Sequence, residues 1–198
     1  MARTLLTTPV LAPLCHHIAV LMARLTGWKI VCEQPNLKKA VFIGAPHTSN
    51  WDFLVMLMAI LIWRLDMRWI GKHTLFIGPF GPLMRWLGGI PLNRQGSTNF
   101  VDQMIEHFNN NERLLLVIAP EGTRAPVERW RSGFYHMAHG AGVPIVLSYI
   151  DYRKREAGIE LIEMPSGDAE QDIARYQRIY AQKTGKHPAN YFGYQNHD

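Results

Sequence analysis

The chain is expected to fold as an α/β protein, with a central, largely parallel or mixed sheet flanked by helices and preceded by an N-terminal helical segment. Three observations predict this. Short apolar runs alternate with helical patterns from residue 41 onward, the arrangement that layers helices on a sheet. The run Leu114-Leu115-Leu116-Val117-Ile118-Ala119 is apolar without alternation and stops at Pro120, as a strand buried on both faces does. Finally, 198 residues with 47% apolar and 19% charged side chains suit one well-buried core and are too few for two comfortable domains. Residues 1–198 are therefore read as a single domain, with 1–28 as its N-terminal segment.

That segment begins with the outline of a signal peptide, Arg3 followed by Leu5, Leu6, Val10, Leu11 and Leu14, but Pro9 and Pro13 interrupt it and no small-x-small cleavage site follows. The longest uninterrupted apolar run, 53–63, is well short of the ~20 residues a membrane-spanning helix needs. Residues 8–28, flanked by Arg24 and Lys29, are instead expected to lie in a membrane interface. Cys15 and Cys32 sit in no C-x-x-C pair or zinc spacing and read as structural thiols in a reducing compartment. Together these predict a peripheral protein facing a reducing compartment; the cytoplasmic face of the inner membrane is the expected location.

Val41-Phe42-Ile43 is a short strand entering Pro46-His47, and 51–64 reads as a helix apolar nearly all round, hence buried. A second strand covers 67–70. Two Pro and two Gly make 78–87 a broken helix or loop, and 89–92 a strand. Ser97 or Thr98 caps a helix to about 109. After the buried strand at 114–119, a helix is expected over 132–139, a strand over 143–150 and an edge strand over 158–162. Asp168 with Gln171 forms a capping box for a last helix reaching about 183, with Gly185 as its stop.

A net charge of +5 favours anionic partners: an anionic membrane surface, a phosphorylated substrate or an acidic carrier protein. Nucleic acid is not expected, because the Lys and Arg residues are dispersed and no recognition-helix or zinc-finger pattern occurs. His16-His17 and His136/His139 have no converging Cys or carboxylate set, so no metal is expected.

Four blocks carry the chemistry. In Pro46-His47-Thr48-Ser49-Asn50-Trp51-Asp52 the His stands five positions before the Asp. On a continuous helix the two side chains would face different ways; with His47 on the strand end and Asp52 in the first helical turns they can meet. A carboxylate bonded to one ring nitrogen fixes the tautomer and frees the other nitrogen to accept a proton. Alone, the spacing also fits a surface His beside a helix cap. Pro120-Glu121-Gly122-Thr123-Arg124 follows the most apolar strand, at the end where α/β sheets bind ligands, and suggests a polar pocket; alone, it fits a surface turn with a solvated ion pair better. Gly88 to Arg94 ends a third apolar run in a guanidinium suited to phosphate, though a solvated Arg at a strand end fits too; Gly142-Val143-Pro144-Ile145-Val146 opens a fourth run and alone is a strand with an N-terminal Pro.

In order and spacing these blocks resemble the glycerolipid acyltransferase family, of the short bacterial type similar to lysophosphatidic acid acyltransferases, over about 41–150. The resemblance implies His47 as catalytic base, Asp52 as its partner, and Arg94, Glu121 and Arg124, with Gly122 and Thr123 in the same motif, in acceptor binding. Lys72 resembles a family lysine between the first two blocks, and 186–194 resembles the tail of related lipid acyltransferases. It also implies transfer of an acyl group from acyl-CoA or acyl carrier protein to the hydroxyl of a lysolipid, with no cofactor beyond the donor. The tetrahedral oxyanion needs preorganised donors, expected among backbone N–H groups near the helix after His47. Departures between His47 and Asp52, at Ala119 and at Leu147-Ser148-Tyr149 leave the acceptor as lysophosphatidate or an amino-acid lysolipid. Two alternatives stand: a thioesterase or lipid hydrolase using the same pair, and a non-catalytic basic module for membrane surfaces.

Overall fold

The computed structural model describes residues 4–31, 35–92 and 97–191. In chain order the strands are β1 (Lys29–Ile30), β2 (Lys39–Ala45), β3 (Met67–Lys72), β4 (Gly89–Leu92), β5 (Leu114–Ile118), β6 (Ile145–Asp151) and β7 (Glu156–Glu163). The helices are α1 (Leu11–Thr26), α2 (Trp51–Trp63), α3 (Gly81–Trp86), α4 (Ser97–Asn110), α5 (Gly133–Ala141) and α6 (Ala169–Tyr180). The strands form one mixed sheet in the order β1-β7-β6-β2-β5-β3-β4, as the expected fold class requires. From β6 to β4 every neighbouring pair is parallel. β7 is antiparallel to β6, and β1 is parallel to β7. The strand expected at an edge is therefore second from it, because β1, two residues long and invisible as a pattern, pairs outside it.

Parallel alignment brings the carboxyl ends of β2, β3, β4, β5 and β6 to one side of the molecule, where ligands gather in such sheets. Both faces of the sheet are covered, which accounts for the unbroken apolar strands. In β2, Val41 and Ile43 face one layer with α5 and α6, whereas Ala40 and Phe42 face the other with α2; all four are fully buried. Leu114 and Leu116 join the first layer and Leu115 and Val117 the second.

Helix α2 is apolar all round because it is sandwiched. Val55, Ala59, Ile60 and Trp63 pack on the sheet, and Leu61 packs with Ala19 of α1 and Leu5. Only its first turn leaves large apolar groups in the open, Trp51 and Leu54. Helix α1 is not broken by its prolines. It starts after Pro9 and holds Pro13 in its first turn, where the missing N–H costs no helical bond. It ends at Gly27 in the left-handed region (φ 73°), whose N–H bonds back to Ala23 and Arg24 carbonyls. Small Ala19 and Ala23 face inward, while Val10, Leu14, Ile18, Leu21 and Leu25 stand exposed along one stripe. Thr4 Oγ1 donates to Asp66 Oδ1 (2.6 Å), and His16 Nδ1 lies 3.0 Å from the Leu61 carbonyl, which ties α1 antiparallel along α2. Among the described residues no helix is long and apolar enough to cross a membrane.

Candidate active site

The strand-to-helix junction read from the spacing is real. β2 ends at Ala45, α2 starts at Trp51, and the loop between them swings His47 back toward the first helical turn. His47 Nδ1 lies 3.1 Å from Asp52 Oδ2. The same carboxylate oxygen accepts the N–H groups of Thr48 (2.8 Å) and Ser49 (2.9 Å). Its other oxygen accepts the Tyr152 hydroxyl at 2.9 Å. Four donors thus satisfy a carboxylate that is 3% exposed, as burial of a charge demands. An acceptor at Nδ1 assigns the ring proton to that nitrogen, so Nε2 is left with its lone pair and can take a proton. The Thr48 and Ser49 amides are spent on Asp52. Oxyanion donors expected just after His47 are therefore not these two.

Glu121, which the resemblance implied in acceptor binding, is placed against the backbone of His47. It leaves β5 pointing inward, 4% exposed, and its Oε1 accepts the His47 N–H at 3.0 Å. The side chain is absent from the cavity wall. It is a clamp on the backbone that carries His47. Burial pushes its carboxyl up to about 7, against the lowering effect of N–H groups, including that of His47. Oε2 has no hydrogen-bond partner among the described residues.

A carboxyl with a raised pKa holds its proton more tightly folded than unfolded. Its stabilising contribution is complete below about pH 4.5 and is lost as pH rises through about 7. Glu121→Gln keeps the Oε1 acceptor and removes the charge. It is expected to raise stability at pH 8 by up to about 3 kcal/mol, with the gain closing below pH 4.5. Denaturant midpoints at the two pH values measure it; equal midpoints at pH 8 would show that Glu121 carries no such burial cost.

The next residues behave as a pocket. Gly122 takes the left-handed conformation (φ 64°), and a Cβ there would lie 2.9 Å from Arg131 Nε. A side chain would therefore be both strained and crowded. The turn delivers Gly122, Thr123 and Arg124 to the rim of a cavity of about 1030 Å³, which His47, Asn50 and Asp52 also line. Arg124 donates from Nη1 to Asn50 Oδ1, locking this turn to the start of α2. Lys72, exposed at the end of β3, reaches the same cavity. Arg94 lies outside the described residues. Beneath α2 the cavity is walled by Phe53, Met56, Ala59, Ile60 and Trp63. From Asp52 to Trp63 a helix rises ~17 Å.

The C-terminal stretch closes over the loop. Lys186 Nζ sits 4.4 Å from the Trp51 ring centroid, and the His187 N–H donates to Thr48 Oγ1 at 3.2 Å. α6 stops at Tyr180, before the expected end. Gly185 is a glycine for another reason: a Cβ there would meet Thr48 at 2.8 Å. Tyr152, Asn50 and Arg131 were not anticipated. Only Asn50, inside the first block, carried a signal in its position.

Comparisons with known proteins give the family and the fold. The acyltransferase family pattern matches residues 29–150, well over half of the chain, and the chain belongs to that family. The crystal structure of the 1-acyl-sn-glycerophosphate (LPA) acyltransferase PlsC from Thermotoga maritima is similar in fold, with TM-score 0.56 at 18% identity over 88% of this chain and 82% of that one. No curated protein sequence matches significantly. The resemblance read from the four blocks is borne out at the level of family and fold.

Proposed function

We propose that this glycerolipid-type acyltransferase moves a fatty acyl group from acyl-CoA or acyl carrier protein to the hydroxyl of an anionic lysolipid. His47 is the base and Asp52 its partner. The observation that carries the reading is the His47–Asp52 pair, 3.1 Å apart, on the wall of a large cavity that apolar side chains of α2 also line. The acceptor oxygen attacks the thioester carbonyl carbon as its proton passes to His47 Nε2. The tetrahedral intermediate then collapses, the C–S bond breaks, and the thiolate leaves with the proton that His47 returns. Asp52 faces the imidazolium that forms between the two steps. The acyl chain lies under α2. Arg124, Lys72 and Arg94 serve the acceptor's anionic head group, Gly122 and Thr123 shape the turn, and Glu121 supports the site from behind.

The acceptor distinguishes this reading from its rivals. Lysophosphatidate, an amino-acid lysolipid and a neutral lysolipid, competed against one another with a single donor, should rank the anionic pair first, since a guanidinium fork suits phosphate or carboxylate. Arg124→Ala should raise acceptor KM about tenfold or more, as loss of a charge-assisted hydrogen bond does, with donor KM little changed. A higher kcat/KM on the neutral lysolipid would remove the arginine's proposed role, and an effect on donor KM alone would reassign it to the carrier's phosphates.

The protein works at a bilayer surface in this proposal. The stripe of α1, Trp51 and Leu54 at the start of α2, and Leu75, Ile77, Phe80 and Leu83 after β3 all stand exposed. Apolar groups in this number near a lipid-handling site support interfacial binding. Deleting α1 would also strip α2 of its cover, so point changes test the idea better. Ile18→Ser with Leu25→Ser is expected to reduce co-sedimentation with anionic vesicles severalfold while the unfolding midpoint holds. Sedimentation equal to the unaltered protein would refute the interfacial assignment.

The depth of the cavity is expected to limit chain length. Ala59 is buried and lines the cavity two helical turns beyond Asp52, and Ala59→Leu should shift donor preference toward shorter chains. Each displaced methylene costs about 0.8 kcal/mol, roughly fourfold in kcat/KM. An unchanged profile over a donor series would place the acyl chain elsewhere.

A further inference from the structure

We propose that Tyr152 is a positioning residue for the His47–Asp52 pair, and that Trp28, at the foot of the N-terminal helix, holds it in place. The inference rests on the reading of His47 and Asp52 as base and partner, and adds a third side chain that acts only through Asp52. Tyr152 stands in the turn between β6 and β7, a hundred residues along the chain from Asp52, and its hydroxyl reaches Asp52 Oδ1 at 2.9 Å. The other carboxylate oxygen is already engaged with the His47 ring and two backbone amides. Tyr152 therefore decides which way the carboxylate plane turns, and so whether Oδ2 stays in line with His47 Nδ1.

The turn is built to aim it. Asp151, fully buried, accepts the N–H groups of Arg153 (3.0 Å) and Lys154 (3.2 Å) on one carboxylate oxygen, which fixes the loop on both sides of the tyrosine. The Tyr152 N–H donates to the Thr184 carbonyl at 2.8 Å. Trp28 meets the phenol ring edge to face, with centroids 5.1 Å apart and planes at 88°, a favoured aromatic geometry. Trp28 is itself held. It follows the Gly27 cap of α1, the Lys29 N–H donates to the Arg155 carbonyl at 2.8 Å, and Arg155 Nη1 donates to the Thr26 carbonyl at 3.0 Å. A continuous set of contacts thus runs from the end of α1 through Trp28 and Tyr152 to Asp52. Burial, and after it the Asp52 charge, push the Tyr152 hydroxyl well up, so it remains a donor at any working pH.

The other titratable groups around the pair are Glu121, bonded to the His47 N–H, Arg124 on Asn50, and Lys186 and His187 on the C-terminal stretch beside Trp51 and Thr48. None of them donates to Asp52 Oδ1. Taking the phenol away leaves that oxygen a stronger base and lets the pair hold its proton more tightly.

The test is the pH dependence of Tyr152→Phe, Trp28→Ala and Trp28→Phe in the full chain, with His47→Ala run alongside. Tyr152→Phe should lose about tenfold in kcat with acceptor KM within roughly twofold, and the acidic limb of its kcat/KM profile should move up by about half a pH unit or more. Trp28→Ala should shift the limb in the same direction by less, and Trp28→Phe should restore it. Wild-type kcat and an unmoved limb in Tyr152→Phe would overturn the proposal. A kcat loss that tracks a lowered unfolding midpoint, with the limb unmoved, would do the same, since it would mark an ordinary packing role. An inactive His47→Ala beside a normal Tyr152→Phe defeats only this inference, whereas an active His47→Ala defeats the base assignment and this inference together.

Discussion

His47→Ala is expected to lower kcat by about 10²–10⁴, the usual worth of a positioned base, while the protein stays folded. Among the described residues the imidazole bonds to Asp52 alone, and Asp52 keeps three other donors when the ring is gone. His47 is about a third exposed, so truncation opens no sealed cavity, and stability should change by less than ~1 kcal/mol. Loss of turnover with an unchanged unfolding midpoint is the expected pattern. A folded variant with wild-type kcat would leave the site without a base.

Asp52→Asn is expected to come next, with kcat down by ~10³. Its amide oxygen will turn toward the Thr48 and Ser49 amides, since an NH₂ group there would face two donors. His47 then loses the negative charge opposite its ring, and the imidazolium formed during transfer is no longer balanced. Because Asp52 is buried, the variant should also show altered stability, which the His47 variant does not. Steady-state kcat beside denaturant midpoints for both variants separates the two effects. Asp52→Asn with nearly full turnover would show that orientation alone, not charge, is what His47 draws from its partner.

What could be read in advance follows from how far each signal reaches along the chain. Strands β2 and β5 were visible because both of their faces are covered, which leaves no polar alternation to confuse them with surface strands. His47 and Asp52 were visible because their meeting is local, five residues across one junction. Glu121 was visible as a member of the site, but its contact with the His47 backbone was not. Sequence places a carboxylate at the end of a buried strand and cannot say whether it points into the cavity or behind the His47 backbone. β1 was missed because two residues carry no period. Pro13 looked like a break, though in the first turn of α1 it disrupts nothing. Tyr152 gave no sign at all: in Asp151-Tyr152-Arg153-Lys154 it looks like any turn tyrosine, and only the antiparallel return of β7 beside β6 sets that turn against the start of α2.

Acyl transfer to a lipid hydroxyl, with His47 as base, is tested most directly by measuring thiol release and lipid products together. The purified protein is given acyl-CoA and lysophosphatidate on anionic vesicles, with free thiol followed by absorbance and lipids by mass spectrometry. One diacylated phospholipid per thiol released, no release without acceptor, and loss of both with His47→Ala is the expected result. Free fatty acid as the sole acyl product at a rate indifferent to the acceptor would contradict it and make the protein a hydrolase.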